Sequence, residues 1–289
     1  MRRLVLLILA LATLLPSLAQ AYDVLILQSR RDPAHEEVLK GFCSGHSVPQ
    51  RVVVLADYAE VDVVRIVRED RPRVILAVGD AAVTAAHPIR TLPVIAVMAL
   101  GVHTRKNAAN LTGISMFVQP ERYVSMFKSM NLRRVGVVYN EEKSGWYLQQ
   151  ARNAASDAGI ELVVRKVSAA RETVAQLSTL AGKVDALWML PDTTAVTRET
   201  TEAYFRFGQQ NSVPVISFAP SYLGLGAAAI LEIDRVALGR QAFAMAVRQL
   251  KIENSENSEN SENMTFRFPT KITRKHNPKI FKNLAMTPD

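Results

Sequence analysis

The sequence predicts an α/β protein of two doubly wound lobes, and three observations carry that prediction. Short apolar, β-branched runs alternate with amphipathic, charge-rich segments from Val24 onward, the rhythm of βαβ units around a parallel sheet. The series repeats after the stretch from Asn110 to Pro120: residues 24–27 answer to 135–138, 74–78 to 186–190, and 92–97 to 213–218. The spacing repeats as well, 50 residues from Val24 to Val74 and 51 from Val135 to Ala186. Two such units in one chain leave a cleft between them, and that is where function is expected.

Length and composition agree. A chain of 289 residues holds two domains of about 100–150 residues each. An apolar content of 48% excludes a disordered protein. At the N-terminus Arg2 and Arg3 precede an almost wholly apolar run from Leu4 to Leu15, and Ala19, Gln20 and Ala21 follow. This reads as a signal peptide over residues 1–21, cleaved before Tyr22. The apolar run falls short of the roughly 20 residues a membrane span needs, and no cysteine stands near the cleavage point, which excludes a lipoprotein signal. The expected product is a soluble, monomeric periplasmic protein. The lone Cys43 has no disulfide partner within the chain and is expected as a core thiol.

The formal charge is +8, and loss of Arg2 and Arg3 with the leader makes it +6. Much of the excess lies in the tail, at Arg267, Lys271, Arg274, Lys275, Lys279 and Lys282. No aromatic-interleaved basic stripe accompanies it, so nucleic acid is not an expected partner.

In the first half, residues 24–27 form a strand, a helix through 35–40 stops at Gly41, and 52–55 form a second strand. Val61, Val64 and Val67 mark a helix ended by Pro72, and 74–78 form the third strand. Gly79 and Asp80 lead into a small-residue helix from Ala81. Ligands of such sheets sit beyond the carboxyl ends of the strands, which selects Gln28, Ser29, Gly79, Asp80 and Met98. Asp80 reads equally as an N-cap for the helix that follows; as a ligand contact it opposes a bare carboxylate.

In the second half Pro120 opens a helix with Tyr123, Phe127 and Met130 on one face. The strand at 135–138 ends at Tyr139 and Asn140, Ser144 is the expected cap of the next helix, and Gly159 closes it. A strand at 162–164, a helix through Val174, Leu177 and Leu180 stopped by Gly182, and a strand from Ala186 follow. That strand ends at Pro191, Asp192 and Thr193, the position that Asp80 holds in the first half. Asp192 reads either as a ligand contact or as a cap for the helix after it. Tyr139, Trp146, Phe218 and Tyr222 cluster at strand ends, the composition of a pocket that stacks a planar or apolar ligand, although aromatics at such positions also serve packing alone.

Beyond Phe218 a helix is expected over about 234–250, then a low-complexity loop at 253–263 that repeats Glu, Asn and Ser, and a strand at 264–268. The histidines His35, His46, His87, His103 and His276 lack metal-ligand spacing, and no phosphate loop, dinucleotide fingerprint or nucleophile elbow is present. No cofactor, no metal and no enzymatic activity are expected.

The chain resembles the ABC-transporter substrate-binding family of the type I periplasmic binding fold, the group typified by tryptophan or aromatic amino-acid binding proteins. The carrying residues are LTGIS at 111–115, RVGVVYN at 134–140, the span 151–160, and VDAL at 184–187 with Pro191 and Asp192. VPV at 213–215, and Gly226 and Ala227 with LGRQA at 238–242, complete the match. The resemblance implies two Rossmann-like lobes joined by three crossovers, with 22–115 and 224–252 in lobe one and 116–223 and 264–289 in lobe two. It implies a small organic ligand, amino-acid-like or aromatic, and an ABC permease as partner. Two departures stand out: Asp80 replaces a small or hydroxyl residue of the family, and a Thr-Asp-Pro-like turn is missing around residues 98–100. These motivate an alternative, a ligand-sensing module that docks on a membrane sensor or signalling protein.

Overall fold

Uninterrupted apolar runs make central strands. β1 (Val24–Gln28) and β3 (Val74–Val78) are buried at every position, which requires cover on both faces and hence parallel strands joined by helices. The computed structural model, which describes residues 22–45, 48–104, 109–253 and 266–283, has that arrangement twice. In the first sheet β1 lies between β3 and the edge strand β2 (Gln50–Val54). β4 (Val94–Val97), β5 (Leu111–Ile114) and the two-residue β11 (Phe266–Arg267) follow β3, all in parallel. Helices α1 (Pro33–Cys43), α2 (Val63–Asp70) and α3 (Asp80–Ala86) make the crossovers.

The second sheet runs β12 (Ile272–His276), β10 (Ala229–Ile233), β9 (Val215–Ser217), β8 (Ala186–Trp188), β6 (Arg134–Tyr139) and β7 (Glu161–Lys166), and only the β10–β12 pair is antiparallel. Its helices are α4 (Pro120–Ser129), α5 (Glu141–Asp157), α6 (Thr173–Ser178), α7 (Arg198–Asn211), α8 (Pro220–Leu225) and the terminal α10 (Pro278–Asn283). Each sheet is sandwiched by two apolar clusters. Ile26, Leu76 and Ile95 pack on α1 and on α9 (Arg235–Glu253), whereas Leu25, Ile75 and Ala96 pack on α2 and α3. Val137 and Trp188 face α4 and α5; Val138 and Leu187 face α6 and α7. The alternation is the period of two that a strand imposes.

The chain passes between the lobes three times: between β5 and α4, between β10 and α9, and between β11 and β12. These crossovers lie side by side. The Ser115 amide donates to the Arg267 carbonyl at 2.8 Å, and the Asp234 amide to that of Lys271 at 3.1 Å. The Asp234 carboxylate also pairs with the Lys271 ammonium at 2.8 Å.

Several expectations need correction. Residues 229–233, assigned with the first lobe, are hydrogen-bonded into the second sheet between β9 and β12, while α9 packs on the first. Residues 266–267, assigned with the second lobe, pair with β5 of the first. Sequence periodicity identifies a strand but not the sheet that accepts it. The strand β12 was not anticipated, because ITRKH is too polar to read as one; it is an edge strand, where charged side chains are usual. Its Lys275 pairs with Glu232, and its Arg274 donates to Ser129 Oγ at 2.8 Å. Gly41 does not stop α1, which continues to Cys43. Cys43 is exposed and accepts from Gln50 Nε2 at 3.1 Å, so it is no core thiol. Ser144 lies inside α5, whose N-cap is Asn140. Glu253 is the last residue of α9; the rest of the low-complexity run and the signal peptide at 1–21 lie outside the described residues.

Candidate functional site at the facing strand ends

In the first lobe the predicted residues form one hydrogen-bonded frame. Gln28, 1% exposed, turns back on its own loop and donates to the Arg30 carbonyl and to Glu36 Oε1, each at 2.9 Å. Ser29 Oγ accepts from the Ala82 amide at 2.9 Å, satisfying an orphan donor in the first turn of α3 from a neighbouring strand. Gly79 must be glycine: its φ is +89°, and a Cβ there would lie 2.6 Å from Ser29 Oγ. Asp80 does not cap its own helix. Its exposed carboxylate reaches the loop after β4 and accepts from the Leu100 amide at 3.2 Å and the Gly101 amide at 2.8 Å. Met98, at the carboxyl end of β4, has φ +55°, an uncommon conformation for a residue with a side chain and one that clusters at binding sites.

The second lobe has an equivalent bracket. Asp192 is 1% exposed, and its oxygens accept from the Asn140 amide at 2.7 Å, Ser144 Oγ at 2.5 Å, the Thr194 amide at 2.8 Å and the Ala195 amide at 2.9 Å. Four donors fill the acceptor positions of a carboxylate. Asn140 is equally committed: its Oδ1 accepts from the Glu142 and Lys143 amides, and its Nδ2 donates to the Val167 carbonyl at 2.9 Å. The sequence placed Asn140 among ligand contacts and read Asp192 as a contact or a helix cap. Here both tie the ends of β6, β7 and β8 to the first turn of α5 and to the turn at 193–195, and the helix after β8 is capped instead by Thr197. Tyr139 donates to Glu141 Oε2 at 3.0 Å, and burial first, then Glu141, raises its phenol above the usual value. Thr193 is exposed. Phe218 and Tyr222 are half-buried, edge to face with centroids 5.2 Å apart, against the α6–α7 face of the sheet.

Trp146 is where the lobes touch. Its indole stacks on His103, which lies in the helical turn Gly101–Thr104 between β4 and β5 of the first lobe. Phe117 lies edge-on to both rings and Phe266 tilts against His103, with centroids 5.0 Å apart. His103 Nε2 is 3.0 Å from Ser115 Oγ, the hydroxyl that also accepts from the Phe117 amide. Burial lowers His103 to about 4. Trp146 Nε1 is buried and has no hydrogen-bond partner among the described residues. Sequence reasoning missed His103, Ser115, Phe117 and Phe266, having weighed His103 only as a metal ligand. The available signal was position: His103 follows β4 closely, and Ser115 ends a motif at the first crossover. Among the described residues no group of three or more His, Cys, Asp or Glu side chains could hold a metal ion.

Two doubly wound lobes, three adjacent crossovers, and loops after carboxyl strand ends that meet at His103 and Trp146 define the type I periplasmic binding fold. The chain belongs to the ABC transporter substrate binding protein family, whose model matches residues 56–287. The family consists of non-enzymatic substrate-binding proteins. A tyrosine-binding protein of Clostridioides difficile (strain R20291) is 25% identical over 150 residues, 50% of this chain and 43% of that protein, so the match spans less than half of the curated relative. Two solved structures share the fold. The ABC domain in complex with L-Trp from Streptococcus pneumonia has a TM-score of 0.60 at 19% identity, covering 91% of this chain and 94% of that one. A ligand-free, open substrate binding protein with adhesive properties from Clostridium difficile has a TM-score of 0.66 at 21% identity, covering 92% and 95%.

Proposed function

We propose that this protein is the periplasmic solute-binding component of an ABC uptake system, exported by a cleaved signal peptide and holding a small amino-acid-like or aromatic solute between its lobes as a monomer. The observation that carries the reading is the contact of Trp146 with His103, where the helix after β6 meets the loop after β4. A solute in that cleft touches both lobes at once. Trp146, Met98, Thr193, Phe218 and Tyr222 are the proposed contacts, since none of their side chains makes a hydrogen bond among the described residues. Gln28, Ser29, Asp80, Asn140 and Asp192 form the frame that holds them. The tyrosine- and L-Trp-binding relatives support an amino-acid-like solute, and the family supports an ABC permease as the docking partner.

Thermal-shift screening against amino acids, nucleosides and small aromatics tests the reading. A ligand present at 100 times its Kd stabilises the folded state by about 2.7 kcal/mol. A library that leaves the melting temperature unchanged counts against the proposal.

A further inference from the structure

His103 has an unusual setting for a histidine at the junction between two lobes. Its ring is stacked face to face on Trp146 of the other lobe, with centroids 3.9 Å apart and an interplanar angle of 29°. Phe117 and Phe266 close two further sides. Among the described residues its single polar contact is Ser115 Oγ at one ring nitrogen. An imidazolium has two N–H donors to satisfy, and among the described residues no acceptor meets its Nδ1. The stack also lies beside the crossovers, since Ser115 is hydrogen-bonded to Arg267 of the third. Rotation of one lobe against the other therefore disturbs it.

We propose that the His103–Trp146 stack is a proton-sensitive latch between the lobes: neutral His103 holds them together, and protonation releases them. This concerns the contact itself and holds whichever solute occupies the cleft. Among the described residues, the charged groups on the surrounding elements are Asp80 of α3, Glu141, Glu142 and Lys143 in the first turn of α5, and Arg267 of β11. None forms an ion pair with the imidazole: Asp80 serves the Leu100 and Gly101 amides, and Glu141 engages Tyr139 and Lys166. The lowering of His103 has burial as its cause. A cation–π attraction to Trp146 opposes the effect, but it leaves the second N–H of the imidazolium without an acceptor among the described residues.

The direction follows from linkage. With the latch closed His103 titrates near 4, and with the lobes apart near its ordinary 6.5. The latch is at full strength above pH 6.5 and weakens as pH falls toward 4. Between pH 8 and pH 5 the ratio of latched to open protein drops roughly 30-fold. Small-angle X-ray scattering of the purified, ligand-free protein across that range, with histidine NMR, tests this. The expected result is a radius of gyration that grows as pH falls, a His103 titration well below 6.5, and no such growth in His103→Phe, which stacks but cannot protonate. His103→Asn serves as a second non-titrating variant if the first does not fold. Unchanged dimensions of the native protein at pH 5, equal growth in the variants, or a His103 titration above 6.5 with tightened lobes each overturns the proposal. None of these outcomes depends on a solute, so failure of the latch and failure of solute binding are distinguishable.

Discussion

The ring centroids of His103 and Trp146 lie 3.9 Å apart, and the two residues belong to different lobes, in the turn after β4 and in α5 after β6. Each is delivered by a frame of backbone hydrogen bonds. Asp80 fixes the loop that carries His103 through the Leu100 and Gly101 amides. Asp192 fixes the start of the helix that carries Trp146 through Asn140 and Ser144. Two carboxylates at equivalent strand ends thus share one role, holding the loops that meet across the cleft.

Asp192→Ala should destabilise the second lobe strongly. The substitution strands three amides and a hydroxyl in a site that is 1% exposed, and each unsatisfied group costs about 1–3 kcal/mol. A loss of at least about 3 kcal/mol is expected in denaturant unfolding. A variant as stable as the native protein would show that the carboxylate is not a structural bracket.

Asp80→Ala should act locally. The residue is exposed, so the stability loss is expected at about 1 kcal/mol. Hydrogen exchange at the Leu100 and Gly101 amides should quicken, because both lose their acceptor. Exchange at these two positions equal to that of the native protein would place their protection elsewhere.

Ser29→Ala removes the hydroxyl that accepts from the Ala82 amide. The expected cost is that of a lost helix cap, about 1 kcal/mol, read in the melting temperature. Solute affinity should be unaffected, since Ser29 Oγ is already engaged with α3. A Ser29→Ala protein with native stability and weakened binding would return Ser29 to the ligand contacts.

Gly239→Ala tests the seam between α1 and α9. A Cβ at Gly239 would lie 1.9 Å from the Val38 carbonyl oxygen, and one at Gly41 would lie 2.0 Å from that of Val236. Backbone cannot rotate aside, so each alanine should cost about 1–3 kcal/mol or more. If Gly41 were only a weak helix residue, alanine there would stabilise by roughly 0.5–1 kcal/mol. The sign of the change at Gly41 decides between the two.

Stability should also depend on His103. Its folded value is lowered to about 4 from an ordinary 6.5, so the unfolded chain binds a proton more readily. The contribution of the neutral ring is complete above pH 6.5 and is lost as pH falls from 6.5 toward 4. Melting temperatures of the native protein should drop across that window by more than those of His103→Phe. Parallel curves for the two proteins would refute the assignment.

The duplicated α/β series, the strand centres and most helices follow from sequence alone, because a strand buried on both faces needs an unbroken apolar run and a helix needs one apolar face. The resemblance carried by the motifs from Leu111 to Ala242 was equally readable, and the family match at residues 56–287 agrees with it. Candidate positions at strand ends were readable too, but not what their side chains do there. Asp80 and Asp192 read as ligand contacts or helix caps alike, because a carboxylate at a strand end carries no local sign that its oxygens are already taken. Gly41 looked like a helix stop, although its reason for being glycine is a carbonyl nearly two hundred residues away, at Val236. The sheet that accepts β10 or β11, and the meeting of His103 with Trp146, are decided only by tertiary structure. Periodicity records which face of an element is buried; it holds no information about which distant element buries it.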